Sequence, residues 1–147
     1  MSTFDPTNFL NTEITEANAT AYTPVAEGEY PGSIAELKPR VLSDGRPLLD
    51  VVWIIDDETA REETGMAEPK VRQSLWLDLT DNGTLDMGKG KNVALGRLRD
   101  ALGQNTSGQL WNPGMLIGGV AKVKVAHSID KRDGVTIQAN VVSATAL

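Results

Sequence analysis

Only one stretch of this 147-residue chain carries a helical period, Lys91 to Leu102, and it stands between three strand-like segments and two more. That order constrains the fold more than any composition figure does. Its apolar positions Leu95, Leu98 and Leu102 fall on one face, Asn92 is placed as an N-cap, and Gly103 occupies the stop position. Before it, Tyr30, Gly32, Ile34 and Glu36 alternate with Pro31, Ser33, Ala35 and Leu37 in a first strand, and Asp44-Gly45 forms a turn. Leu48 to Ile55 is then apolar on both faces, as a central strand is. Asp56 to Lys70 is charged, contains Pro69, and reads as a long exposed loop before a third strand, Val71 to Leu79. After the helix, Val120 to His127 alternates again, and Asp133-Gly134 turns into Val135 to Val142.

Five strands with one helix between the third and fourth is the arrangement of a small Greek-key barrel of the oligonucleotide/oligosaccharide-binding (OB) type, spanning residues 27–147. A β-sandwich or jelly roll is the other packing open to the same segments. Residues 1–26 are different in kind. They are rich in Thr, Asn and Ala, show no sustained period, and space out Phe4, Phe9, Leu10, Ile14 and Tyr22, as an extended arm that docks on a partner surface does.

Charge separates the same two regions. The first 37 residues hold Asp5, Glu13, Glu16, Glu27, Glu29 and Glu36 and no Lys or Arg, which accounts for the whole net charge of -6. The segment from Gly88 to Arg132 instead carries eight bases against Asp100 and Asp130. Local field, more than net charge, decides which polyanion docks.

Several chemistries are disfavoured at once. The chain has no Cys, which excludes disulfides and thiolate catalysis, and its single His127 leaves no set for a His-based metal centre. His127 continues the inward register of Ala121, Val123 and Val125 and reads as a satisfied strand-end histidine. Gly83 to Gly90 has the length and setting of a phosphate-binding loop but carries Gly90 where a magnesium-binding hydroxyl belongs. Asp56, Asp57, Glu58, Glu62, Glu63 and Glu68 lack the spacing of a calcium loop. No segment has the roughly 18 apolar residues of a membrane span or the pattern of a secretory signal, so the expectation is a non-enzymatic cytoplasmic protein without cofactor or metal.

The basic positions carry the stronger signal. Lys122 and Lys124 share one face of the fourth strand, about 7 Å apart, and Lys89 and Lys91 add charge at the start of the helix. Trp53 belongs to the core strand, whereas Trp76 and Trp111 are candidates for stacking on bases.

Pro24 to Tyr30, Asp44-Gly45-Arg46-Pro47-Leu48, Arg72 to Leu77, Leu98 to Gly103 and Leu116-Ile117-Gly118-Gly119 before a Val-Lys-Val strand together resemble a small family of tailed-phage single-stranded DNA-binding proteins. The resemblance covers about Pro24 to Val142. It implies an OB barrel that coats single strands in phage replication or recombination in the host cytoplasm, with Arg72, Lys89, Lys91, Arg99, Lys122 and Lys124 on the backbone and Trp76 and Trp111 on bases. Proteins of that kind often carry an acidic tail at the C-terminal end, whereas here the acids lie at the other end. The arm and acidic pI also suit a second function, a virion protein that decorates the capsid by docking on the major capsid protein. A homo-oligomer is expected in either case.

Overall fold

The computed structural model describes residues 3–147, so the first two residues of the arm lie outside the described residues. Five strands, β1 (Gly28–Val41), β2 (Pro47–Ile55), β3 (Lys70–Trp76), β4 (Val120–Ile129) and β5 (Ile137–Thr145), close into a barrel in the order β1-β2-β3-β5-β4. All pairings are antiparallel except the β3–β5 closure, where Arg72 meets Asn140 in a parallel bridge. With the main helix between β3 and β4, this is an OB-like barrel. Closure excludes the sandwich and the jelly roll, both of which leave two facing sheets.

Why these residues close is read from the inward positions. β2 sends Leu49, Val51, Trp53 and Ile55 inward, β3 sends Val71, Gln73 and Leu75, and β4 sends Ala121, Val123 and Val125. Trp53 is fully buried and its Nε1–H donates to Gln73 Oε1 at 2.8 Å, so the indole N–H inside the barrel is paired. Gly32 lets β1 pass this ring: a Cβ there stands 3.2 Å from Trp53.

β1 departs from simple alternation. Its pairing with β2 steps from Ile34↔Trp53 to Glu36↔Val52, which makes Ala35 an extra residue in a bulge. Tyr30, Gly32 and Ile34 therefore face inward before the bulge and Leu37 after it, while Glu36 is exposed, correcting the register expected for Glu36 and Leu37. β1 also runs to Val41 and so serves two neighbours, β4 with Gly28 to Ser33 and β2 with Gly32 to Val41.

The segment expected as one long loop after β2 contains a short helix. Asp57 caps its start by accepting from the Ala60 amide at 2.9 Å, and Gly65 ends it at φ 75°, a left-handed value that suits glycine. This segment is preceded by α1 (Pro6–Phe9) in the arm, and is α2 (Glu58–Thr64). Pro69, the residue before β3, is fully buried.

α3 (Val93–Ala101) packs Leu95 and Leu98 into the barrel core beside β5 and β3, as the leucine spacing requires. Asn92 stands at its N-cap position but does not cap it. It adopts φ 51°, is buried, accepts from the Asp78 amide, and donates to the Asp78 and Asp86 carbonyls. Its side chain is spent on tying the β3–α3 connection together.

The arm borders the domain only at its end, where Ala19 to Thr23 line a cleft with Glu62 to Gly65 at α2. Every residue from Thr3 to Thr23 is exposed, and the chain becomes buried only at Val25. No helix among the described residues is long and apolar enough to cross a membrane.

Candidate nucleic-acid interface

The register of β1, β2 and β3 fixes which outward side chains are neighbours. Lys38, Asp50 and Ser74 form one cross-strand row. Arg40, Leu48 and Trp76 form the next row towards the β1–β2 turn. On the other side lie Glu36, Val52, Arg72 and, across the parallel bridge, Asn140. Ile54 and Lys70 follow. The outer face of the three strands thus gathers Lys38, Arg40, Lys70 and Arg72 from separate stretches of sequence, together with Asp50 and Glu36, the latter 3.4 Å from Lys38 Nζ.

Two turns flank this face from opposite ends. The β1–β2 turn, residues 42–46, brings Arg46 over the ring of Trp76, its guanidinium carbon 4.4 Å from the ring centroid. Trp76 is 50 % exposed in this arrangement. The β4–β5 turn, residues 130–136, adds Lys131 and Arg132 at the end where Lys70 lies, since β5 begins beside the start of β3. A cleft of about 370 Å³ there is lined by Lys70, Arg72, Gln138, Ala139 and Asn140. From Trp76 to Lys70 is about 20 Å of extended strand, the length of about four nucleotides and the short end of the site sizes of OB folds.

The turns are held by carboxylates. Asp44 accepts from the Arg46 amide and guanidinium, and those bonds hold its carboxyl below the usual aspartate range. Asp130 is lowered chiefly by the Arg132 guanidinium, which it binds at 2.8 Å. Asp133 is pulled down to about 2, first by the Thr136 hydroxyl and then by the Thr136 and Val135 amides. Each is the geometry of an Asx-type turn, which sets the loop without burying anything.

Of the residues expected to bind nucleic acid, only Arg72 and Trp76 stand on this face. Lys122 and Lys124 share an outward face of β4, as their spacing requires, but their row neighbours are Pro31 and Glu29 of β1 and Thr145 and Ser143 of β5. Lys122 Nζ also lies 3.4 Å from Glu29. Lys89 and Lys91 are exposed just before α3. Arg99 and Trp111 occupy each other: the guanidinium carbon stands 4.0 Å from the Trp111 ring centroid, and Trp111 Nε1 donates to Gln104 Oε1, while Arg99 donates to the Gln104 carbonyl. Trp111 is half-buried against the core, and that ring face is already covered.

Sequence reasoning missed Lys38, Arg40, Arg46 and Lys70. The signal was present, because Lys38/Arg40 and Lys70/Arg72 repeat the two-residue spacing that singled out Lys122/Lys124.

The remaining candidate chemistries find no site. In the loop resembling a phosphate cradle, the Gly88 amide donates to Asp86 and the Asn92 amide to Asp78, so carboxylates hold positions an anion requires. No group of His, Asp and Glu among the described residues is arranged to hold a metal ion. His127 Nε2 donates to the Val25 carbonyl at 2.7 Å and its amide to Glu27, ties that fasten the arm's base to β4. In the arm, Phe4, Phe9, Leu10, Ile14 and Tyr22 are all more than half exposed, with Phe4 and Phe9 rings 5.5 Å apart. No known family model matches this chain, and comparison with curated proteins finds no match.

Proposed function

We propose that this protein binds single-stranded DNA, without enzymatic activity, across the outer face of β1–β3, and coats single strands during phage replication or recombination in the infected cell. The observation that carries the reading is the alignment of Lys38, Arg40, Arg72 and Lys70 along one outer face that ends at the half-exposed Trp76, between two turns that bring Arg46, Lys131 and Arg132. Cationic groups follow a flexible phosphate backbone, and an exposed indole stacks on any base, which is a sequence-tolerant way to hold a single strand. Nothing in this arrangement reads base edges in a duplex, whose major groove takes a helix or a β-ribbon. The test is a titration of fluorescent oligo-dT at low salt. Saturable binding supports the reading, and no binding removes it.

A second reading is favoured by the arm. Its five large apolar residues are exposed on a segment with no bases, a combination suited to ordering against another protein. Under that reading the chain decorates a phage capsid through the arm. Mass spectrometry of purified virions separates the two: a decoration protein is present at high copy number, and a replication protein is nearly absent.

A further inference from the structure

Asp50 is out of place on a surface that takes a polyanion. It points outward from β2, between the inward residues Leu49 and Val51, yet its side chain is only 6 % exposed. Arg40, Ser74 and Arg72 cover it. Arg40 Nε donates to Asp50 Oδ2 at 2.6 Å, Ser74 Oγ donates to Oδ1 at 2.7 Å, and Arg72 Nη1 stands 3.9 Å from Oδ2.

A carboxylate here weakens the field that attracts phosphate, so its contribution to binding has to be geometric. An arginine carries five N–H donors on a rigid planar fork. Arg40 spends its Nε–H on Asp50, which orients the plane and leaves the terminal nitrogens for a ligand. Arg72 approaches the same oxygen from the β3 side. Ser74, opposite Asp50 in register, holds the other carboxylate oxygen and stops the group from rotating. Each arginine is 42–49 % exposed, so both reach solvent while sharing one buried anchor. Long side chains held in a binding geometry lose less freedom when the ligand arrives.

Building on the single-strand reading of this face, we propose that Asp50 is a positioning residue that sets Arg40 and Arg72 side by side to grip the phosphates of a single DNA strand.

The sign of one substitution tests this. Asp50→Asn removes a negative charge from the face, so attraction alone tightens binding of oligo-dT. Positioning predicts the opposite, because the amide offers one acceptor oxygen where Asp50 offers two and turns its NH₂ towards donors. The expected result is about tenfold weaker binding, the scale of one lost charge-assisted hydrogen bond. The slope of log affinity against log salt stays near that of the unaltered chain, since the bases themselves remain. Arg40→Lys supplies the second variant if Asp50→Asn does not fold. It keeps the charge, lies on a partly exposed position, lacks the planar fork, and is expected to lose affinity several-fold while retaining a cooperative melting transition. A folded Asp50→Asn protein that binds as tightly as the original or tighter overturns the proposal, as does undiminished binding by Arg40→Lys. Failure of the unaltered chain to bind oligo-dT overturns the single-strand reading and this inference together, whereas binding by it with no loss in either variant overturns the Asp50 role alone.

Discussion

Trp53 on β2 and Trp76 on β3 belong to the same ladder, paired with Val71 and Leu48, and are put to opposite uses. Trp53 is fully buried, with its N–H held by Gln73, and fills the barrel where Gly32 makes room for it. Truncating it removes the largest buried side chain and leaves a cavity that the closed sheet cannot collapse around. Trp53→Ala is therefore expected to cost about 3–5 kcal/mol of stability, read from chemical denaturation. Trp76 is on the outside, and Arg46 lies over its ring without enclosing it. The alternation of each strand, inward at Trp53 on β2 and outward at Trp76 on β3, sends two residues of one type to such different fates. Trp111 is set apart again by Arg99 and Gln104, which occupy its ring face and its N–H.

At the scale of elements, the legible parts were those whose period belongs to a single local segment. β2 was plain because both of its faces are apolar, and α3 because its leucines fall on one side. The bulge at Ala35 was hidden, since an extra residue leaves the composition unchanged and only flips the register beyond it. α2 was hidden because a two-turn helix covered in carboxylates has the composition of a solvated loop; its signature was local, Asp57 at the start and Gly65 at the stop. The bases expected to act together are spread apart for a related reason. A block of bases from Gly88 to Arg132 is contiguous in sequence, but the barrel distributes it over the β3–α3 connection, α3, β4 and the β4–β5 turn. The face on β1–β3 is assembled by register from residues about 30 positions apart.

The β4–β5 turn carries its own prediction. The Asp133 carboxyl is held at about 2, below its ordinary 3.8, by the Thr136 hydroxyl and the turn amides. A depressed carboxyl contributes stability that is present above the unfolded-state value and is lost as pH falls through the folded-state value. The turn is thus expected to keep its structure from neutral pH down past pH 4 and to loosen between about 3.8 and 2. An NMR titration of the Asp133 side-chain carbonyl carbon checks it, and a midpoint at the ordinary aspartate value contradicts the bonded turn.

For the molecule as a whole, the acidic arm and the barrel are separate bodies of chemistry tethered at Val25, where His127 and Glu27 make the fastening. All of the net charge belongs to the first 37 residues, and the rest of the chain is balanced between 14 acids and 14 bases. Because residues 3–23 are all exposed and meet the folded domain only where Ala19 to Thr23 border α2, a variant lacking residues 1–23 is expected to melt within a few degrees of the full chain. The same variant is expected to bind single strands slightly more tightly at low salt, having lost anionic residues that repel the ligand. A large drop in melting temperature shows instead that the arm is part of the folded barrel.

Whether a single strand follows the β1–β3 face is tested most directly by paired substitutions on two faces of the one barrel. Oligo-dT affinity is measured against salt for the original chain, for Arg72→Ala with Trp76→Ala, and for Lys122→Ala with Lys124→Ala. The β3 pair is expected to weaken binding by about 2–4 kcal/mol, with one base stack and one phosphate contact removed and the salt slope shallower by about 0.7. The β4 pair is expected to change affinity by less than about 1 kcal/mol, as bases off the strand's path do. Loss of binding in the β4 pair with the β3 pair intact contradicts the assignment and moves the interface to the other side of the barrel.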